Sequence, residues 1–97
     1  MFTQNENGGL LTVIVQEDGA VAPLAGATIR VIILDSGGVR TEDDVSAINL
    51  DTGACDIPLT AEILRVAGAY AYQLEINFPN GKRRYTAIDY FTVTKRL

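Results

Sequence analysis

Ten consecutive residues constrain this chain more than any others. From Ala69 to Phe78 apolar and polar side chains alternate almost without a break. Tyr70, Tyr72, Leu74, Ile76 and Phe78 fall on one face, and Ala69, Ala71, Gln73, Glu75 and Asn77 on the other. A period of two residues belongs to a β-strand with one face in a core and one face wet. Asn80-Gly81 follows at once, and this dipeptide favours the positive φ angles of a tight hairpin. Lys82 to Thr94 therefore returns antiparallel. Its pattern is imperfect: Tyr85, Ala87, Phe91 and Val93 suit one face, Ile88 and Tyr90 the other. A bulge near Ile88–Asp89 would reconcile the two.

Further strands read in the same way. Leu10 to Gln16 is β-branched and apolar, with Leu11, Val13 and Val15 on one face; Glu17-Asp18-Gly19 then signals a turn. Ala20 to Ala25 carries Pro23 and reads as an edge or connector. In Ala27 to Asp35, residues Ala27, Ile29, Val31 and Ile33 point one way. Ile32 and Leu34 are apolar on the other face, so this strand end is expected to be covered on both sides, by another subunit on the second. Ser36-Gly37-Gly38 is a loop, and the acidic stretch Val39 to Asp44 is a long loop or a weak edge strand. Val45 to Leu50 and Ala54 to Leu59 are strands flanking the turn Asp51-Thr52-Gly53. Thr60 to Val66 is the one helical candidate: Thr60 can cap it and Gly68 can stop it. About seven short strands at this spacing give an all-β sandwich or small barrel with one short helical turn. Residues 1–9 are polar and end in Gly8-Gly9, which predicts a flexible N-terminal arm before a single domain over 10–97.

Histidine is absent from all 97 residues, and cysteine occurs once. The commonest general base near neutral pH is thus missing, and with it the Ser-His-Asp and Cys-His arrangements and the imidazole of zinc sites. There is no phosphate-loop or GxGxxG pattern. Cys55 alternates with Ile57 and Leu59 and reads as a small core residue. Glu42-Asp43-Asp44, with Asp35 and Asp51, could gather around Ca²⁺, but the EF-hand spacing is absent and a solvated acidic loop is the plainer reading. No enzyme, no cofactor and no metal is expected.

Net charge is −4, which argues against nucleic acid and against anionic lipid as partners. The charge is unevenly placed. From Asn80 onward there are five cations and one anion, whereas the preceding residues hold the other 11 acids and three cations. Such a dipolar chain can dock end to end with copies or neighbours. The start lacks the basic and apolar regions of a signal peptide, and the longest apolar run, Val31 to Leu34, is too short to span a membrane. Synthesis in the cytoplasm is expected. The residues singled out for an interface are Ile32, Leu34 and Tyr90 as apolar anchors, with Lys82, Arg83 and Arg84 as a basic rim.

From residue 11 to about 94 the order of features resembles the N-terminal domain of phage baseplate upper proteins. The resemblance rests on Leu24-Ala25-Gly26-Ala27-Thr28-Ile29 opening a strand, Gly53-Ala54-Cys55-Asp56-Ile57-Pro58-Leu59-Thr60 after the middle loop, Leu59-Thr60-Ala61-Glu62, Gly68-Ala69-Tyr70-Ala71-Tyr72, the Asn80-Gly81 hairpin and a terminal Phe91-Thr92-Val93. It implies an immunoglobulin-like antiparallel β-sandwich in a phage particle, with no catalytic residues. The expected function is then a non-enzymatic virion structural protein of a tail or baseplate, or a head decoration. Its partners would be other virion proteins and further copies of itself. The alternative is an immunoglobulin-like module binding carbohydrate or a host-surface glycan, for which Tyr85 and Tyr90 are the aromatic candidates.

Overall fold

The alternating segment is the centre of the structure. A computed structural model describes residues 2–17, 20–21 and 24–97. Its strands are β1 (Phe2–Thr3), β2 (Gly9–Ile14), β3 (Gln16–Glu17), β4 (Ala20–Val21), β5 (Thr28–Leu34), β6 (Arg40–Val45), β7 (Ala47–Asn49), β8 (Ala54–Leu59), β9 (Gly68–Asn77), β10 (Arg83–Tyr85) and β11 (Asp89–Thr94). Strand β9 pairs with β5 on one side and with β10 and β11 on the other. The larger sheet runs β1-β11-β9-β5-β6, the smaller β2-β8-β7, and β3 and β4 form a ribbon of their own.

The chain crosses from the smaller sheet to the larger between β2 and β5. It returns between β6 and β7, and crosses again between β8 and β9. Hairpins join β5 to β6, β7 to β8 and β9 to β10. This alternation is that of an immunoglobulin-like sandwich. Pairing is antiparallel except for the two-residue contact of β1 with β11, which is parallel.

Between the sheets lies one apolar core. Ile29, Val31 and Ile33 of β5 face Ile76, Leu74 and Tyr72 of β9 across the ladder. Cys55, Ile57 and Leu59 of β8 close it from the other sheet, and Cys55, as expected, is fully buried. Tyr70 is the largest wholly buried side chain. Its ring stacks on Phe91 at 5.0 Å, and its hydroxyl donates to the Val66 carbonyl at 2.6 Å. A tyrosine at the start of such a strand, bonded back to the preceding crossover, is a hallmark of this fold class.

The hairpin expected at Asn80-Gly81 is present. Phe78 N donates to Lys82 O at 2.8 Å, and Lys82 N to Asn80 Oδ1 at 3.0 Å. The irregularity in the return strand is a one-residue slip. Tyr85 stands opposite Glu75, whereas Asp89 stands opposite Tyr72, so three residues on the return strand match two on β9. Thr86 seals the break: its N–H donates to Leu74 O, and its Oγ1 accepts from Leu74 N, both at 2.9 Å.

Two expectations are corrected. Thr60 to Val66 forms no helix. Thr60 does cap a turn, with Ile63 N on its Oγ1 at 3.3 Å and Leu64 N on its carbonyl at 3.1 Å. The next carbonyls are then taken by other partners: Asn5 N donates to Leu64 O, and Gln4 Nε2 to Arg65 O, each at 2.8 Å. A piece this short has no helical cooperativity with which to compete. The same bonds account for the second correction. Residues 2–9 do not stand off as a flexible arm. Phe2 and Thr3 pair beside Val93 and Thr94, and the Phe2 ring meets Phe91 edge-on at 5.5 Å. The aromatic ring supplies apolar burial, and the polar residues after it satisfy the turn's carbonyls. The acidic stretch is the edge strand β6 rather than a loop. The expected Asp18-Gly19 turn and the Pro23 connector fall outside the described residues.

Candidate functional site

Pairing register fixes which side chains share the outer face of the larger sheet. One row across it is Arg40, Leu34, Ala71 and Tyr90. The next is Glu42, Ile32 and Gln73, and below it come Asp44, Arg30, Glu75 and Tyr85. Arg83 lies opposite Asn77 at the far end. In the upper rows Leu34, Ala71, Tyr90 and Ile32 are apolar where a solvated sheet face would be polar, with Arg40, Glu42 and Gln73 beside them. Tyr90 is 68% exposed, Ile88 57% and Leu34 44%. A shallow hollow of about 240 Å³ lies over Ala71, lined by Ile32, Leu34, Arg40, Gln73 and Ile88 among others.

Of the six residues expected at an interface, the structure brings Ile32, Leu34 and Tyr90 together and leaves the three cations elsewhere. Arg83 shares the face but sits about six residues along β9 from the Tyr90 row, about 20 Å away. There its Nε donates to Asn77 Oδ1 at 2.9 Å and lies 3.6 Å from a Glu75 carboxylate oxygen. Arg84 projects to the opposite side of β10, across from Ile76, and Lys82 lies in the hairpin connection. The cation beside the apolar rows is Arg40, 3.3 Å from Glu42. Sequence reasoning missed Arg40 and Ile88. Reading Arg40 to Val45 as a strand antiparallel to β5 would have set Arg40 opposite Leu34.

The mid-face charges pair among themselves. Arg30 lies 3.7 Å from both Glu42 and Asp44. Such half-exposed pairs contribute little stability. Asp35 is committed elsewhere: buried at the β5–β6 turn, its Oδ1 accepts from Gly37 N and Val39 N at 2.9 Å, and Arg65 lies 3.6 Å from Oδ2. Glu42 and Asp44 face Arg30, and Asp51 accompanies the other sheet's turn. These carboxylates do not converge, and no cluster suited to a metal ion occurs among the described residues.

A second concavity, of about 450 Å³, opens where the end of β2 meets the slip between β10 and β11. Tyr72, Tyr85, Asp89 and Gln16 line it, and the Tyr72 hydroxyl donates to Asp89 Oδ2 at 3.3 Å. Burial, reinforced by the Asp89 carboxylate, raises the Tyr72 pKa. Cys55 is not a reactive group here. Burial, then the neighbouring Asp56, pushes its thiol up, so it stays protonated. No helix among the described residues is long and apolar enough to cross a membrane. No protein-family model matches the chain, and no curated protein matches it in sequence.

Proposed function

We propose that this chain is a non-enzymatic structural subunit of a phage particle, held in a tail or baseplate, or on the head as a decoration, by contacts with other virion proteins and with its own copies. The observation that carries this reading is the apolar outer face formed by Ile32, Leu34, Ile88 and Tyr90. A wet sheet face has no use for these side chains, whereas a partner that covers them gains hydrophobic burial and an aromatic anchor. The immunoglobulin-like sandwich supports the reading, as does the sequence resemblance to baseplate domains.

The test is composition of the particle. Mass spectrometry of purified particles is expected to find the chain at fixed stoichiometry, and gold-labelled antibody to place it on tail or head. A Leu34→Glu/Tyr90→Glu chain that melts at the wild-type temperature is expected to be lost from particles. Absence of the wild-type chain from particles overturns the reading.

The carbohydrate reading keeps one observation in its favour: Tyr85 can stack and Asp89 can accept hydrogen bonds within the same cleft. A glycan array without binding would remove it.

A further inference from the structure

The larger sheet ends in two edges of opposite charge. Among the described residues, strand β6 pairs only with β5, and β10 only with β9; β1 covers the return strand at Val93 and Thr94, not at β10. Edge β6 carries Glu42, Asp43 and Asp44, whereas β10 and its turn carry Lys82, Arg83 and Arg84. Counting across the ladders, Asp44, Arg30, Glu75 and Tyr85 form one row, and Val45, Ile29, Ile76 and Arg84 the adjacent row. The basic group thus sits about three residues beyond the acidic one along the strands, four strands apart, and a slide of two residues brings Asp44 opposite Arg83.

We infer that the β6 edge of one copy pairs with the β10 edge of a second copy, head to tail, with Asp44 opposite Arg83 and Asp43 opposite Arg84. This rests on the multicopy assembly proposed above and gives it a specific contact.

Three independent features of the backbone agree with this register. The first is direction. Strands β6, β5, β9 and β10 alternate, so a copy displaced sideways and slid two residues (about 7 Å) along the strands, without rotation, brings its β10 antiparallel to β6. The second is hydrogen-bond parity. Asp35 N donates to Val39 O, so odd residues of β6 bond inward to β5 and even residues turn their N–H and C=O groups outward. Phe78 N donates to Lys82 O and Thr86 N to Leu74 O, so on β10 the odd residues turn outward. Asp44 and Arg83 are therefore both open, as a hydrogen-bonded antiparallel pair requires, and so are Glu42 and Tyr85. The third is face. Asp44 and Arg83 both project to the outer face, and Asp43 and Arg84 both to the other, so opposite charges meet on each side.

The displacement is about four strand spacings, or about 19 Å. The molecule's narrow dimensions of 23 and 21 Å slightly exceed this step, so neighbouring copies pack flank to flank. The smaller sheet has three strands where the larger has four at this level, which leaves space between the smaller sheets of neighbouring copies.

Charge also selects against wrong pairings. Two β6 edges repel, and so do two β10 edges, which is how exposed edges are commonly guarded. In the single copy the Asp43 carboxylate accepts the outward N–H of Asp44 at 2.9 Å. Pairing moves that carboxylate to the incoming Arg84 and frees the N–H for the new ladder. The contact is heterologous, so it builds a ring or a twisted ribbon rather than a closed pair.

The test uses the full chain and light scattering across a wide concentration range. Wild type is expected to gain mass with concentration, and to lose that gain as added salt screens the edges. Asp43→Lys/Asp44→Lys and Arg83→Glu/Arg84→Glu chains are each expected to associate at least about tenfold more weakly. An equimolar mixture of the two is expected to recover the wild-type mass, because each basic edge then has an acidic partner. A mixture that stays monomeric, or single variants that associate like wild type, overturns the inference. Should either variant fail to fold, Asp44→Cys and Arg83→Cys chains are mixed and oxidised. Disulfide formation preferentially between the unlike chains supports the register, and formation no faster than between like chains overturns it. If the edge variants assemble normally while Leu34→Glu/Tyr90→Glu abolishes assembly, the edge contact fails and the structural-subunit reading stands.

Discussion

Removing one oxygen atom from Tyr70 should cost about 2 kcal/mol of stability. Tyr70→Phe keeps the buried ring and its stacking on Phe91. It deletes the hydroxyl that donates to Val66 O at 2.6 Å and accepts from Val66 N at 3.3 Å. A net hydrogen bond contributes about 1 kcal/mol, and stranding a partner away from water costs about 1–3 kcal/mol. Val66 is half-buried, so water reaches it only in part. The expected loss is about 2 kcal/mol, against a total of about 5–15 kcal/mol. Urea unfolding followed by circular dichroism measures it: with a slope of about 1 kcal/mol per molar, the midpoint falls by about 2 M. A loss under about 0.5 kcal/mol at unchanged slope would refute the view that this bond pins the β8–β9 crossover. An alkaline arm sharpens the test. Burial is the main cause raising the Tyr70 pKa, with Asp35 adding to it and the Val66 bond and Arg65 opposing. The folded state therefore holds the phenolic proton more tightly than the unfolded chain. This contribution is whole below the unfolded pKa of about 10 and is lost as pH rises through and beyond it. Wild-type stability should fall in that window, and Tyr70→Phe should fall less steeply, with Tyr72 still contributing.

Two further outcomes follow from the packing. Gly53 holds φ +75°, and a Cβ there would lie 2.5 Å from the Val15 carbonyl oxygen, so Gly53→Ala should cost about 3 kcal/mol in thermal melting. Gly38, at φ +86° with open space around it, is the control, and its alanine variant should cost about 1 kcal/mol; equal losses at both sites would show that the contact is relieved. Cys55 is wholly buried with a raised thiol pKa, so a thiol reagent should label it only as fast as the domain opens, and labelling in native buffer at the rate of a free thiol would contradict its placement.

Strand identity was legible wherever one strand's own residues carried the pattern. The alternation of β9 gave its inward face correctly, Cys55-Ile57-Leu59 did so for β8, and apolar residues on both faces of the return strand pointed to its slip, but Tyr85, expected on the face of Phe91, lies on the outer face opposite Glu75. The apolar anchors were legible for the same reason: Ile32, Leu34 and Tyr90 stand at positions where the period calls for polar residues. What was hidden depends on residues far apart in sequence. Phe2 and Thr3 belong to a strand only because Val93 and Thr94 lie beside them, and nothing in a polar stretch announces that. Thr60 gave a true cap signal, but the bonds from Gln4 and Asn5 that end the turn come from the other end of the chain. Periodicity also tells which face a charge occupies without telling how far along the sheet. Arg83 was therefore placed near the anchors when it lies at the opposite end.

The slip between Tyr85 and Asp89 has a consequence for how this surface can change. Tyr85 and Tyr90 are five positions apart, and in an unbroken strand an odd spacing sends them to opposite faces. The extra residue acts as a half-period phase shift, so both rings reach solvent while Phe91 and Val93 keep their places inside. It divides one strand into two separately phased halves. The half beyond the slip is tied to the core, and the half before it is tied only to the hairpin. Substitutions at the hairpin tip are thereby insulated from the packing of Phe91, whereas deletion of a single residue from 86–88 would force one half to invert. The tip is free to vary in chemistry, and it is the slip at 86–88 that cannot vary in length.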